Sequence, residues 1–309
     1  MDIVFMGTPD FAVSALKTLH EKGHNIQLVI TQEDKPRNRG KKISFTPVKE
    51  EALKLGLEVF QPSNVNDDKS IEKIKDLNPD FLVVVAYGQI LKSKLLDIPK
   101  YKSLNIHASI LPKYRGAAPI NWAIIDGEKE TGVTIMDMDE GLDTGDILLV
   151  DKTIINGNDD FLTIHDRLAD MGSKLIVKAI DDIINNRIEP IKQDHDLSNY
   201  APMIYRETGR IDWNMDKEQI FNLVRALQPK PGAYTIYKDE KVKIHRVEYE
   251  ESNSESVNGK IIELLKDGIV VKANNGQIII KELQFPGKKR LRTRDFLAGN
   301  TIEKDLVLK

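Results

Sequence analysis

The chain has 309 residues, 40% of them hydrophobic and 30% charged, which allows two globular domains with a core each. A formal net charge of −3 excludes a global basic field of the kind that marks generic nucleic-acid binders. Cysteine is absent, so disulfides, thiol nucleophiles and thiolate metal sites are excluded, a composition that suits a reducing cytoplasm.

MDIVFMGTPDF opens the chain with an acid at position 2 and only a short apolar run, unlike a secretory signal. Nowhere do about eighteen apolar residues run together, so no membrane span is expected. Ile3 to Met6 predicts a strand. GTPDFAVSALKTLHEKG then predicts a helix with Phe11, Ala15, Leu16 and Leu19 on one face and Gly23 at its end. The turn GTPDF differs from the GxGxxG of dinucleotide sites, and Pro9 removes a backbone donor. It reads either as a plain helix start or as a wall of some other ligand site. Ile26 to Ile30 predicts the next strand. QEDKPRNRGKKISF (32–45) follows, with Lys35, Arg37, Arg39, Lys41 and Lys42 around Gly40 and little to bury. It is expected to be an exposed, mobile loop, either solvated charge or a grip on the phosphates of a large substrate.

TPVKEEALKLG predicts a helix capped by Thr46 with Pro47 at its first position, LEVFQP a strand, and DDKSIEKIKDLN another helix. DFLVVVAYG is the most apolar run and predicts a strand buried on both faces; SLNIHA predicts its successor. Regular strand–helix alternation with short links argues for an α/β fold, a doubly wound, mostly parallel Rossmann-like sheet whose strand C-termini share one functional edge. Beyond Thr131, TGVTIMDMD and DTGDILLVDKTII alternate as strands across a glycine-rich turn. FLTIHDRLADMGSKLIVKAIDDII is a long amphipathic helix with an expected stutter at Gly172.

From Asn186 to Gly209 periodicity fades, and Pro190, Pro202, Asn199 and Tyr200 suggest a connector over the surface. KEQIFNLVRAL then predicts a helix, and KVKIHRVEYE, GKIIELL, GIVVKAN and GQIIIKELQF short strands of a small, OB-like β-barrel. The expected division is therefore 1–189, a linker over 190–208, and 209–309. Charge differs along the chain. From Tyr205 onward 20 Lys/Arg stand against 16 Asp/Glu, a net +4, whereas the preceding residues carry 25 against 32, a net −7. The difference reads as solvated surface or as a C-terminal module that leans on a polyanion.

The chemistry concentrates in NIHASILPKYRGAAPINWAI (105–124). Residues two apart on a strand face the same way, so Asn105 and His107 point together near the functional edge. Asp143 lies 36 residues beyond His107, in the turn GLDTGD. A histidine with a carboxylate suits proton transfer near neutral pH, and an asparagine amide can donate to an oxygen that gains negative charge. Ser109 has no separate base, which favours direct transfer over a covalent enzyme intermediate. One histidine and one aspartate lack a third ligand at a strong spacing, so no metal is expected. Taken singly, Asn-x-His reads equally as structure, and Asp143 as a turn residue.

Together with GTPDF before it and TGVTIMDMDEGLDTGDIL after it, this stretch resembles the methionyl-tRNA formyltransferase family, within the wider group of enzymes that use 10-formyltetrahydrofolate. The resemblance spans essentially the whole chain; SILPKYRGAAPI marks the wider group, and the RGKK loop and C-terminal module narrow it. It implies formyl transfer by Asn105, His107 and Asp143 from 10-formyltetrahydrofolate to the α-amine of methionine on initiator tRNA. It places the folate by Val85, Ala86, Tyr87 and Gly88, by Ser109, Leu111 and Pro112, and by Asp139, Gly141 and Leu142. Phe11, Arg37, Arg39, Lys41 and Lys42 are implied on the tRNA side, with the C-terminal barrel assisting. A cytoplasmic monomer from an AT-rich bacterium is expected. Many relatives carry tryptophan near QPKPGAY, where Lys230 stands here; this leaves the tRNA-facing surface of the second domain less defined than the centre.

The alternatives are a folate enzyme that formylates an amino-sugar nucleotide, a glycinamide ribonucleotide formyltransferase, a formyltetrahydrofolate hydrolase and a non-catalytic tRNA-binding module. The basic loop argues for tRNA over a sugar nucleotide. The C-terminal module argues against the second and third, and the Asn–His–Asp set against the last.

Overall fold

The computed structural model describes residues 1–37 and 42–309, with the backbone alone at 36, 37, 42 and 43. The chain starts β1 (Asp2–Gly7), α1 (Phe11–Glu21), β2 (Asn25–Ile30), β3 (Lys35–Arg37), β4 (Lys42–Ser44), α2 (Pro47–Lys54), β5 (Val59–Phe60) and α3 (Asp68–Asp76). It continues β6 (Phe81–Val85), α4 (Ser93–Leu96), β7 (Lys102–His107), β8 (Arg115–Gly116), α5 (Pro119–Ile125), β9 (Glu130–Asp137), β10 (Ile147–Ile154), α6 (Phe161–Ile184) and β11 (Tyr200–Ala201). Two compact units result. One comprises Met1–Pro119, Glu130–Thr153 and His165–Ala201; the other comprises Ile120–Lys129, Ile154–Ile164 and Pro202–Lys309.

The first unit is built on a seven-stranded sheet in the order β10-β9-β7-β6-β1-β2-β5. The pairs β1–β2, β1–β6, β2–β5 and β6–β7 are parallel, and β7–β9 is antiparallel. Strand order reverses between β1 and β6, so a ligand crevice is expected beyond the C-terminal ends of those strands. All five residues of β6 are buried, as the unbroken apolar run demands. Asp10, Thr46 and Asp67 cap α1, α2 and α3 by accepting backbone N–H bonds from Phe11, Lys49 and Ser70. One core cluster packs Val4, Met6, Leu28, Ile30, Leu82 and Val84 against Val65, Ile74, Leu91 and Leu95. Each such side chain contributes about 1.5–3 kcal/mol on burial.

Two details differ from the sequence expectation. The helix over FLTIHDRLADMGSKLIVKAIDDII runs unbroken through Gly172, without a stutter. A Cβ at 172 would lie 2.7 Å from Ile106 Cγ2 of β7, so the glycine serves close approach of helix to sheet. The basic stretch 32–45 is also more ordered at its arms than a bare loop, because β3 and β4 pair as an antiparallel hairpin. Its base is anchored where Gln61 donates to Gln32 O and Asp34, and Lys49 donates to Asp34.

The second unit continues with α7 (Lys217–Ala226), β12 (Ala233–Tyr237), β13 (Glu240–Glu250), β14 (Ile261–Leu265), β15 (Gly268–Ala273), β16 (Gly276–Gln284), β17 (Leu291–Arg292) and α8 (Thr293–Leu297). Its antiparallel sheet runs β12-β13-β16-β15-β14, with β17 on β16. The two edge strands are closed into a barrel by the C-terminal residues. Ile236 and Lys309 exchange backbone hydrogen bonds of 2.7 and 3.1 Å, while Leu308 N donates to Gly259 O and Ile261 N to Leu306 O. β12, absent from the sequence reading, supplies one of those edges. A capping box at Asp216 and Gln219 starts α7, which buries Ile220, Leu223 and Val224 in this unit's core with Trp213, Ile244, Val271 and Ile278.

Candidate active site

Asn105 and His107 end β7 and share one face of it; both are buried, at 9% and 6% exposure. Among the described residues, no hydrogen bond is recorded for the Asn105 side-chain amide. His107 is held from both sides. Its Nε2–H donates to Tyr114 O at 2.9 Å, which leaves Nδ1 as the basic nitrogen, 3.6 Å from Asp143 Oδ1. That separation exceeds a hydrogen bond, so Nδ1 can serve a reacting atom while the carboxylate stabilises its charge.

The chain between these residues explains the alignment. After β7, Ser109 Oγ donates to Lys113 O, and Thr134 Oγ1 of β9 ties Ser109 O to Leu111 N, with a cis peptide at Leu111–Pro112. Tyr114 (φ 60°) then turns its carbonyl to His107, and Gly116 N donates to Asp143 Oδ2 at 2.8 Å. Gly116 has φ 114°, and a Cβ there would sit 2.5 Å from the Tyr200 ring and 2.8 Å from Ala201 O. Only glycine fits. The segment Gln193 to Ala201 borders this turn, within the first unit. The 190–208 stretch, read from sequence as a linker, is thus structured there as far as Ala201.

The remaining sequence-derived residues fall in three places. Val85 ends β6; Ala86 (φ 46°) and Gly88 (φ 94°) turn the loop that follows, and Tyr87 instead buries its ring in the core. Thr8 Oγ1 donates to Tyr87 O, joining this loop to the end of β1. Burial raises the Tyr87 hydroxyl far above its ordinary value, and that oxygen has no partner among the described residues. Asp139 Oδ1 accepts from Gly141 N and Thr144 Oγ1, shaping the turn that presents Asp143, while Leu142 is 54% exposed. Pro112 follows the buried Leu111 in the turn. Phe11 is buried, edge-on to His165 at 5.4 Å. Arg37 and Lys42 lie in β3 and β4; Arg39 and Lys41 fall outside the described residues.

Sequence reasoning missed Tyr114, Gly116, Gln193 and Asn199 as parts of the site. Gly116 carried a signal, a glycine after arginine in a rigid turn. The others act through contacts from 7 to 85 residues away, which no spacing rule reveals.

The formyl transferase family matches residues 1–180, and the formyl transferase C-terminal domain matches residues 203–301. The methionyl-tRNA formyltransferase of Clostridium tetani is 47% identical over 309 residues, covering 100% of this chain and 99% of its own. That of Clostridium perfringens (strain SM101) is 48% identical over 310 residues, covering 100% of both. Among solved structures, an N-formyltransferase from Helicobacter canadensis, in complex with folinic acid and dTDP-3-aminofucose, aligns with a TM-score of 0.68 at 22% identity, over 90% of this chain and 98% of its own. HypX from Aquifex aeolicus in complex with tetrahydrofolic acid aligns at 0.62 and 18% identity; this chain, 96% covered, spans 46% of its length. The two structural likenesses show the fold. The full-length identities go further: the chain belongs to the formyl transferase family and, within it, to the methionyl-tRNA formyltransferases.

Proposed function

We propose that Asn105, His107 and Asp143 carry out formyl transfer from 10-formyltetrahydrofolate to the α-amine of methionyl initiator tRNA, giving N-formylmethionyl-tRNA and tetrahydrofolate. The full-length relatives support the activity. The residue assignment rests on one observation: a His107–Asp143 pair at 3.6 Å beside the unengaged Asn105 amide, at the C-terminal edge of a parallel sheet.

When bound, the folate supplies the formyl carbon on its N10. The loops around the crevice suit a polar-edged heterocycle with an apolar body. Among the described residues, the backbone amides of Ala86 and Gly88 have no recorded partner, while Ile90 and Leu142 are 77% and 54% exposed. Asn105 donates to the formyl oxygen as negative charge builds there, and His107, once its basic Nδ1 has taken a proton, adds a second donor that carries positive charge. Asp143 stabilises that imidazolium and takes a proton from the attacking amine, directly or through one water. One N–H bond of the amine thus breaks as its N–C bond forms. As the C–N10 bond breaks, the site returns a proton to N10. On the acceptor side, Arg37, Arg39, Lys41 and Lys42 meet tRNA phosphates, Phe11 forms wall, and the C-terminal residues from Tyr205 onward, net +4, steady the tRNA. The enzyme acts in the cytoplasm as a monomer of 35.0 kDa.

Incubation with 10-formyltetrahydrofolate and methionyl initiator tRNA should yield formylmethionyl-tRNA. His107→Ala should lose about 10²–10⁴-fold in kcat and still bind tRNA. A folded wild-type protein that formylates only amino-sugar nucleotides, or a His107→Ala variant at full rate, overturns this reading.

A further inference from the structure

We infer that Gln193 and Asn199 are positioning residues for formyl transfer, a two-point clasp that fixes His107 and Asp143 relative to each other; the inference rests on the roles proposed above for that pair. Gln193 is buried at 7% exposure, and every polar atom of its amide is engaged. Its Nε2 donates to Asp143 O at 2.9 Å and to Gly145 O at 2.7 Å, spanning the turn that carries the catalytic carboxylate. Its Oε1 accepts from Arg115 Nε at 3.1 Å and Nη2 at 2.7 Å. The partners settle the orientation of the amide, because carbonyls can only accept and a guanidinium can only donate. Arg115 is itself buried at 9% exposure, and its Nη1 also donates to His195 Nδ1 at 3.1 Å.

The second point lies six residues on. Asn199 Oδ1 accepts from Tyr114 N, and Asn199 O accepts from Arg115 N at 3.0 Å. Tyr114 is the residue whose carbonyl holds His107 Nε2. Ala201 O then accepts from Ala117 N and Ala118 N, next to the Gly116 amide that binds Asp143 Oδ2. One short segment therefore grips the aspartate through its backbone and the histidine through the carbonyl that orients it. Asp143 has a left-handed backbone, φ 53°, which aspartate tolerates in turns, whereas Tyr114, at φ 60°, holds a conformation uncommon for an aromatic residue. A mis-set general base costs rate while leaving substrate affinity intact, and about 1 Å of displacement suffices for about a 100-fold loss.

The clasp makes opposite demands on its two amides. Gln193 must donate to two carbonyls, so Gln193→Glu keeps size and the Arg115 contact but sets a carboxylate against two lone-pair acceptors. Asn199 needs only to accept with its side chain, so Asn199→Asp retains its function. Steady-state kinetics with 10-formyltetrahydrofolate and methionyl initiator tRNA, alongside thermal melts, test this. Gln193→Glu should fall about 30–100-fold in kcat with both KM values within about 3-fold of wild type. Asn199→Ala should fall about 10-fold, and Asn199→Asp should return to near wild type. If Gln193→Glu does not fold, the Asn199 pair decides by the same contrast. A kcat within about 3-fold of wild type in Gln193→Glu, or equal losses in Asn199→Ala and Asn199→Asp, overturns the clasp. His107→Ala, run beside them, separates the two ideas. An inactive His107→Ala with unaffected clasp variants sinks only the clasp; a fully active His107→Ala sinks the catalytic assignment beneath it.

Discussion

At Asn105 the fold presents a largely buried side chain whose amide makes no hydrogen bond to the protein among the described residues and stays open to the crevice. A donor held in reserve is what an oxyanion site requires. Asn105→Ala should therefore lose about 10²–10³-fold in kcat, with little change in melting temperature; single-turnover formylation beside a thermal melt measures both. A second residue-scale feature is the ion pair of His165 with Asp10 and Asp166, at 3.5 and 2.9 Å. Burial opposes charge on His165, and hydrogen bonds to Asp10 and Asp166 outweigh it, raising its pKa above the ordinary 6.5. The hydrogen bond from His165 in turn lowers Asp10 below 3.8 against the effect of burial. The histidine's share of stability is complete below pH 6.5 and disappears as pH rises through its raised folded value. Asp10's share is present above pH 3.8 and disappears as pH falls through its lowered one. The melting-temperature gap between wild type and His165→Gln should thus be widest between about pH 4 and 6.5 and should narrow at pH 8. A gap that widens towards alkaline pH contradicts this pairing.

At the scale of elements, the turn from Ser109 to Gly116 joins the histidine strand to the amide that receives Asp143. Gly116→Ala tests its rigidity. The added methyl meets a backbone oxygen at 2.8 Å as well as the Tyr200 ring, and φ is 114°, so neither neighbour nor backbone relaxes cheaply. A loss of about 2–4 kcal/mol is expected from strain and overpacking together, read as a drop of several degrees in melting temperature. Turnover should fall too, because Gly116 N would leave Asp143 Oδ2. The elements themselves were legible in the sequence wherever one period dominated. The apolar run DFLVVV became the fully buried β6, Thr46 and Pro47 started α2, and Phe11, Ala15, Leu16 and Leu19 became the buried face of α1. Gly172 was misread because a glycine that breaks a helix and one that lets a helix touch a sheet look alike in sequence. Only the 2.7 Å approach to Ile106 distinguishes them.

For the whole molecule, the second unit closes through its C-terminal residues, which pair with both edges of an otherwise open sheet. Removing residues 304–309 should expose the edges of β12 and β14 and lower the stability of this unit. Hydrogen exchange at the Ile236 and Ile261 amides, which donate to Lys309 O and Leu306 O, should rise by orders of magnitude, and unchanged protection would contradict the closure. The sequence by itself determined the alternation of strands and helices, the barrel strands from Glu240 to Gln284, and Asn105 and His107 on one strand face. These follow from side-chain periodicity and local turn chemistry, which a reader of sequence shares with the folding chain. Tertiary structure alone decided that Asp143 meets His107, that β12 exists, and that residues 193–201 brace the site. The first and last of these depend on contacts between residues 36 to 85 positions apart, fixed by the packing of the sheet and the closing of loops, for which no local pattern codes; β12 pairs locally with β13, from Tyr237–Glu240 to Ala233–Ile244, and its other edge is held by Lys309.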